Sequence, residues 1–282
     1  MALSGEGTDE LFGGYLTYRA NDLSRMARRL PSAALRLAAS AARWLPVSDE
    51  KIGWEYKVKR FLAGCLMQPE RAHVYWNGTF SDDEKRRLLR VELPGELDSL
   101  LGEAAAGGDR TGAYLWFDQK YYLPDDILAK VDRMSMAHSI EVRPPFLDHR
   151  IVEFAARLPA ELKIHGAEQK VILRRLMKDR LPAAVLRRKK EGFDIPVHEW
   201  LRGPLRSLLR ETLAEGLSEH EGLFDRRAIE TSVEDHLARR ANAGYHLWGL
   251  MILFLWMKRW QIETSALTEP RNRLAVGAST AI

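Results

Sequence analysis

Apolar residues recur at three- and four-residue spacing along most of this chain, and the pattern predicts a mainly α-helical protein. Ala2 and Leu3 read as the last residues of a short buried strand, and Ser4-Gly5-Glu6-Gly7 leaves it in a glycine turn. Thr8 or Asp9 then caps a helix from about Glu10 toward Ser24, with Leu11, Phe12, Tyr15 and Leu16 near helical spacing. Residues 20–45 give two amphipathic helices split at Pro31, and Arg25, Arg28, Arg29, Arg36 and Arg43 fall on faces expected to be solvated. Residues 46–80 read as helix plus loop, Ser81 caps the next helix above a first turn of acids, and residues 102–112 form an internal loop.

Further along, Pro124 with Asp125 and Asp126 starts a helix in which Ile127, Leu128, Val131 and Met134 mark a buried stripe. Pro144 forces Arg143 to be extended, and Asp148 begins a helix carrying Ile151, Val152, Phe154, Ala155 and Leu158. A helix opening at Gln169-Lys170 runs to residue 181, and the basic run Arg187 to Lys190 follows it. The rest is helical to about Trp260. Residues 263–282 lack periodicity and read as a frayed or disordered tail, which leaves 1–262 as the organised domain.

Composition narrows this picture modestly. Hydrophobic residues make up 46% and charged residues 29% of the 282 positions, as in ordinary globular domains. A net charge of +4, with no aromatic interleaving among the arginines, gives no case for a nucleic-acid partner. The most apolar run, "LWGLMILFLWM" from Leu247 to Met257, is too short to cross a bilayer and reads as a buried helix. A single cysteine, Cys65, excludes an internal disulfide framework and suits a reducing, cytoplasmic setting.

The densest candidate chemistry lies in "MALSGEGTDELFGGY". Backbone N–H groups where a strand hands over to a helix attract phosphates, and ligands of open α/β sheets gather beyond the carboxyl ends of strands. Carboxylates in such a loop would repel a bare polyphosphate, so a divalent metal is the natural intermediary. On spacing alone the stretch is equally a capped glycine turn.

Four blocks in order, "LSGEGTDELFGGY", "LAKVDRMSMAHSIEVRPPFLDHRIVEFAARLP", "EQKVILRRLMKDRLPAAVLRRKKEGFDIPVHEWL" and "LWGLMILFLWM", resemble the synthetase domain of glutamine-hydrolysing asparagine synthetases. The resemblance implies the C-terminal portion of a PP-loop fold, an α/β adenine-nucleotide alpha-hydrolase-like domain with most of its parallel sheet missing. It implies ATP and Mg2+ as cofactors, and a reaction in which aspartate is adenylated and ammonia displaces AMP to give asparagine. By the same resemblance Ser4, Gly5 and Gly7 lie against the nucleotide and acyl-adenylate, and Asp9 helps hold magnesium. Glu6 matches the acid that acts as general base for ammonia attack in that family. Lys170 neutralises phosphate charge, and Lys190, with Arg188, belongs to a basic motif beside it. Asp132, Arg133, Glu141 and Arg143 are expected to form a buried ion-pair network that shapes the pocket.

Two parts of the family pattern are not found. No cysteine follows Met1, where the family's glutaminase half has its nucleophile, and the pyrophosphate loop Ser-Gly-Gly-x-Asp-Ser is absent. The chain is therefore expected to be the C-terminal part of a longer or split protein, inactive alone in exchange of ATP with pyrophosphate, and to need an upstream segment or glutaminase domain. Two other readings stay open: a non-catalytic helical subunit that binds a partner, and amidation of a carboxylate other than that of aspartate. The oligomeric state is also open, a homo-oligomer included.

Overall fold

The computed structural model describes residues 1–46, 53–92, 100–102, 110–188, 192, 195–264 and 267. Strand β1 (Ala2–Leu3) leads into α1 (Thr8–Phe12), α2 (Leu16–Ala27), α3 (Ser32–Ala42), α4 (Trp54–Cys65), α5 (Pro69–Asn77) and α6 (Asp82–Leu88). Helix α7 (Arg110–Phe117) runs through a π-helical stretch, Asp118–Leu128, into α8 (Ala129–Met136). Strand β2 (Val142–Arg143) precedes α9 (His149–Arg157) and α10 (Ala160–Lys163). The hairpin β3 (Ile164–His165) and β4 (Glu168–Gln169) then delivers the chain to α11 (Val171–Met177) and α12 (Ala183–Arg187). Helices α13 (Val197–Arg202), α14 (Arg206–Glu219), α15 (Arg226–Leu237) and α16 (Gly244–Trp260) complete it. The chain divides into two compact units, one of Met1–Pro46, Ile52–Gly78 and Gly95–Asp194, the other of Val47–Lys51, Thr79–Pro94 and Ile195–Ile282.

In the first unit β1 and β2 pair in parallel, Ala2 opposite Val142 and Leu3 opposite Arg143. Leu3 is 72% exposed, so this strand is not the buried one its sequence suggests. The single helix expected from Glu10 to Ser24 is two. Gly13, at φ +70°, ends α1 in the left-handed region, and the chain restarts at Leu16. Pro31 separates α2 from α3 as expected, whereas Arg28 is not merely solvated: its guanidinium donates to the carbonyls of Met67 and Gly64 and ties α2 to α4.

Pro124 lies inside the helical run rather than at its start. The widened π turn gives its ring room that an α-helix would deny it. The stripe that begins there is not buried, because Ile127, Leu128 and Val131 are only half-buried and Met134 is 62% exposed. Nor is there a buried ion-pair network after it: Asp132, Arg133 and Glu141 are exposed, and Arg143 pairs with Glu141 at the surface. Asp148 does cap α9, its carboxylate accepting from the Arg150 N–H at 2.9 Å.

The second unit is organised around one apolar cluster. Leu201, Leu209, Ile229 and Leu247 are fully buried in it, with Met251 and Phe254 beside them. Helix α16 supplies the longest face, and its buried members Leu247, Leu250, Met251, Phe254 and Met257 follow helical spacing while Ile252, Leu255 and Trp256 stay exposed. Gly216 sits against Phe254, where a Cβ would come within 2.4 Å of the ring. Ser81 forms the expected cap in reciprocal form: its hydroxyl accepts from the Glu84 N–H at 3.2 Å and Glu84 accepts from the Ser81 N–H at 2.7 Å. Among the described residues no helix is long and apolar enough to cross a membrane. Most of the loop expected at 102–112, Lys190 of the basic run, and most of the tail expected at 263–282 lie outside the described residues.

Candidate functional site

The candidate site is built on the loop that leaves β1. Hydrogen bonds from Ala2 N–H to the Glu141 carbonyl, 2.8 Å, and from Ser4 N–H to the Arg143 carbonyl, 3.0 Å, fix the strand up to its end. Gly7 then turns the chain at φ +83° and begins α1 without any side-chain cap. That corrects the expected capping by Thr8 or Asp9: the Thr8 hydroxyl donates backward to the Gly5 carbonyl instead. Only glycine fits at position 7, since a Cβ would lie 2.2 Å from Leu147 Cδ2 in the turn after β2.

Lys170 reaches the same place from far along the sequence. The hairpin β3–β4 ends at Gln169, whose side-chain amide donates to the Tyr15 carbonyl at 2.7 Å and whose own carbonyl accepts from Arg174 Nε at 2.9 Å. Held from both sides, Lys170 adopts a left-handed backbone, φ +54°, and stands at the N-cap of α11 rather than inside it. Its Nζ lies 2.8 Å from Asp9 Oδ1, with both side chains largely withdrawn from solvent. Gly14 makes this pairing feasible. A Cβ there would stand 1.7 Å from Asp9 Oδ1 and 2.4 Å from Lys170 Cε.

Of the residues singled out from sequence, the structure thus places Ser4, Gly5, Glu6 and Gly7 on the loop after β1 and Asp9 in the first turn of α1, and brings Lys170 to Asp9. Glu6 is half-buried and forms no ion pair among the described residues. Ser4 Oγ is buried without a hydrogen-bond partner. Arg188 is exposed just after α12, and Lys190 is not among the described residues.

The residues that sequence reasoning missed lie directly under this loop. Glu10 is 1% exposed. Burial pushes its carboxyl above the usual carboxylate range, against the hydrogen bond it accepts from the Tyr15 hydroxyl. Its backbone carbonyl accepts from Gln119 Nε2 at 3.0 Å. Tyr15 packs against Tyr18, which donates to Asp118 Oδ2 at 2.6 Å, and Asp118 Oδ1 lies 3.0 Å from His73 Nε2. No local signal marks these residues. Their partners come from α2, α5 and the π-helical stretch, which only the fold brings together.

Chemically, a lysine held beside the first turn of α1 can meet a phosphate, and the neighbouring carboxylate can share a cation with that phosphate. Among the described residues no group of three or more His, Cys, Asp and Glu side chains could hold a metal by itself. A single carboxylate suits magnesium, which takes most of its ligands from water and phosphate oxygens.

Comparison with known proteins agrees with the sequence blocks. The family model for asparagine synthase matches residues 1–261, and the chain belongs to that family. It is 34% identical over 262 residues to a putative glutamine-hydrolysing asparagine synthetase of Mycobacterium tuberculosis (strain ATCC 25618 / H37Rv), covering 91% of this chain and 39% of that protein. It is 30% identical over 261 residues to asparagine synthetase 1 of Bacillus subtilis (strain 168), covering 91% and 40%. The amidase chyE of Penicillium rubens is 25% identical over 266 residues. The chain therefore spans about 40% of the length of these two synthetases. No solved structure matches it.

Proposed function

We propose that residues 1–262 carry one wall of the site of an ATP-dependent amide synthetase that converts aspartate to asparagine through β-aspartyl-AMP. The observation that carries the reading is the 2.8 Å pair between Asp9 in the first turn of α1 and Lys170 at the N-cap of α11, with Gly14 clearing space for it. In this reading Lys170 offsets charge on the phosphates as the aspartate carboxylate attacks the α-phosphorus, the bond from that phosphorus to the bridging oxygen breaks and pyrophosphate leaves. Asp9 would hold magnesium, which when bound neutralises the triphosphate. Gly5 allows the backbone to approach the nucleotide closely, and the unpartnered Ser4 hydroxyl is available to it.

In the second half of the reaction the nitrogen of ammonia attacks the acyl carbon, the C–N bond forms, and the bond to the AMP oxygen breaks. The nitrogen must lose a proton, and Glu6 accepts it, a contribution worth ~10²–10⁴-fold in rate. The free, buried Cys65 suits a reducing cytoplasm.

Calorimetry of MgATP binding to the chain tests the carrying observation. Lys170→Ala is expected to weaken binding about tenfold, or about 1.4 kcal/mol, while leaving the melting transition in place. Unchanged affinity would remove Lys170 from the site and the reading with it. The likeness to an amidase favours a second arm, in which small acids other than aspartate are offered to the MgATP-loaded chain.

A further inference from the structure

In the first unit α2, the start of α5 and the start of α7 enclose a cavity of about 500 Å³. Its wall carries Arg25, Arg28, Arg29 and Arg110 together with Asn21 and Tyr114, and Asp22 is the one carboxylate among the lining residues. Arg25 stands 3.4 Å from Asp22. Arg28 gives both terminal nitrogens to backbone carbonyls, and its Nε is buried without a partner. Arg29 and Arg110 have no ion-pair partner among the described residues. Solvation alone would account for the exposed arginines, but not for what faces them.

Asn21 is only 8% exposed, and its orientation is dictated from behind. Asn21 Nδ2 lies 2.9 Å from His73 Nδ1, and His73 Nε2 lies 3.0 Å from Asp118 Oδ1. Asn21 Oδ1 is then a buried acceptor without a partner. An unsatisfied buried acceptor is costly, and Asn21 and Arg28, each with such an atom, both line this cavity.

We propose that this cavity binds a small phosphorylated compound that carries a hydroxyl. Phosphoryl oxygens meet the guanidinium groups, whose several donors and fixed charge match a dianion approached from more than one side. The hydroxyl donates to Asn21 Oδ1. The volume is that of a small-molecule pocket. The site does not rest on the amide-synthetase reading, because none of its residues belongs to the loop or to Lys170.

The probe is glycerol phosphate, titrated calorimetrically into the whole chain. Binding is expected, at least tenfold weaker in the double variant Arg29→Gln, Arg110→Gln and unchanged in Lys170→Ala. Propyl phosphate, which lacks the hydroxyls, is expected to bind about fivefold more weakly. Both arginines are exposed, so circular dichroism should show the double variant folded, and the single Arg29→Gln variant repeats the measurement with less charge removed. No binding at millimolar glycerol phosphate would overturn the proposal, as would equal affinity in the arginine variants. Loss of binding in Lys170→Ala would move the anion to the loop, and tighter binding of citrate would replace the phosphoryl group by carboxylates; either result overturns the site as stated.

Discussion

The two units of this chain are held together in different ways. In the second, one continuous cluster gathers Leu209, Ile229, Leu247, Met251 and their neighbours, and burial of apolar surface is the main stabilising term. In the first, the described buried apolar residues form three small clusters, around Leu115, around Leu11 and Phe12, and around Phe117, with others such as Leu35, Leu123 and Val171 buried outside them. The space between is filled by polar side chains that satisfy one another: Glu10 with Tyr15, and Tyr18 with Asp118 and His73. The unit that carries the candidate site is thus the one whose interior depends on hydrogen-bond geometry. An apolar core tolerates displacement of its members better than a polar network does, so a network placed under a loop fixes that loop's position more sharply.

This contrast can be broken or sharpened by experiment. The largest effect is expected from Leu247→Ala, which empties a fully buried position of the second unit at a cost of about 2–5 kcal/mol, read by urea denaturation and by amide protection in α13, α14 and α16. A loss below about 1 kcal/mol would show that the cluster is not the main support.

Acid should act on the two units with opposite signs. His236 in α15 is fully buried; burial, then the nearby Arg202 and His198, lower it from 6.5 to about 4. Between those values the unfolded chain takes up a proton that folded His236 refuses, so its contribution is full above pH 6.5 and is lost as pH falls through about 4, on the order of 3 kcal/mol. Glu10 in α1 is raised above 4.5 by burial, so its contribution is full below pH 4.5 and is lost as pH rises through its folded value. Urea titrations followed by NMR signals of α15 and α1 should show the two slopes, abolished by His236→Gln and Glu10→Gln respectively. Slopes of the same sign would remove the distinction.

A smaller loss, about 2 kcal/mol, is expected from Asp118→Ala, which leaves the Tyr18 hydroxyl and a His73 ring nitrogen without their acceptor. Asp118→Asn, which keeps one acceptor oxygen, should recover part of it in the same denaturation assay. If alanine and asparagine cost the same, the hydrogen bonds are not what holds this interior.

Legibility in the sequence follows the same division. Helix α16 was readable from "LWGLMILFLWM" because an apolar face packed on one cluster repeats at helical period, and the Ser81 cap was readable because its partners are three residues apart. The stripe of Ile127, Leu128, Val131 and Met134 shows the same period yet is not buried, since periodicity names a face and not what covers it. The break after α1 was overlooked because Gly13 and Gly14 look tolerable inside a helix pattern. Their roles appear only in the fold, where Ile164 occupies the space a Cβ at Gly13 would take and Asp9 and Lys170 the space a Cβ at Gly14 would take.

Taken alone, then, the order of residues determined the helical character, the family and the candidate loop with its distant lysine, because each is written in short-range spacing or in a few contiguous blocks. Tertiary structure alone decided that Lys170 meets Asp9, that Glu10 loses its water, and that Asn21 keeps an unpartnered oxygen among arginines. Those outcomes depend on desolvation and on contacts between segments far apart in the chain, and neither quantity is a property of any local stretch.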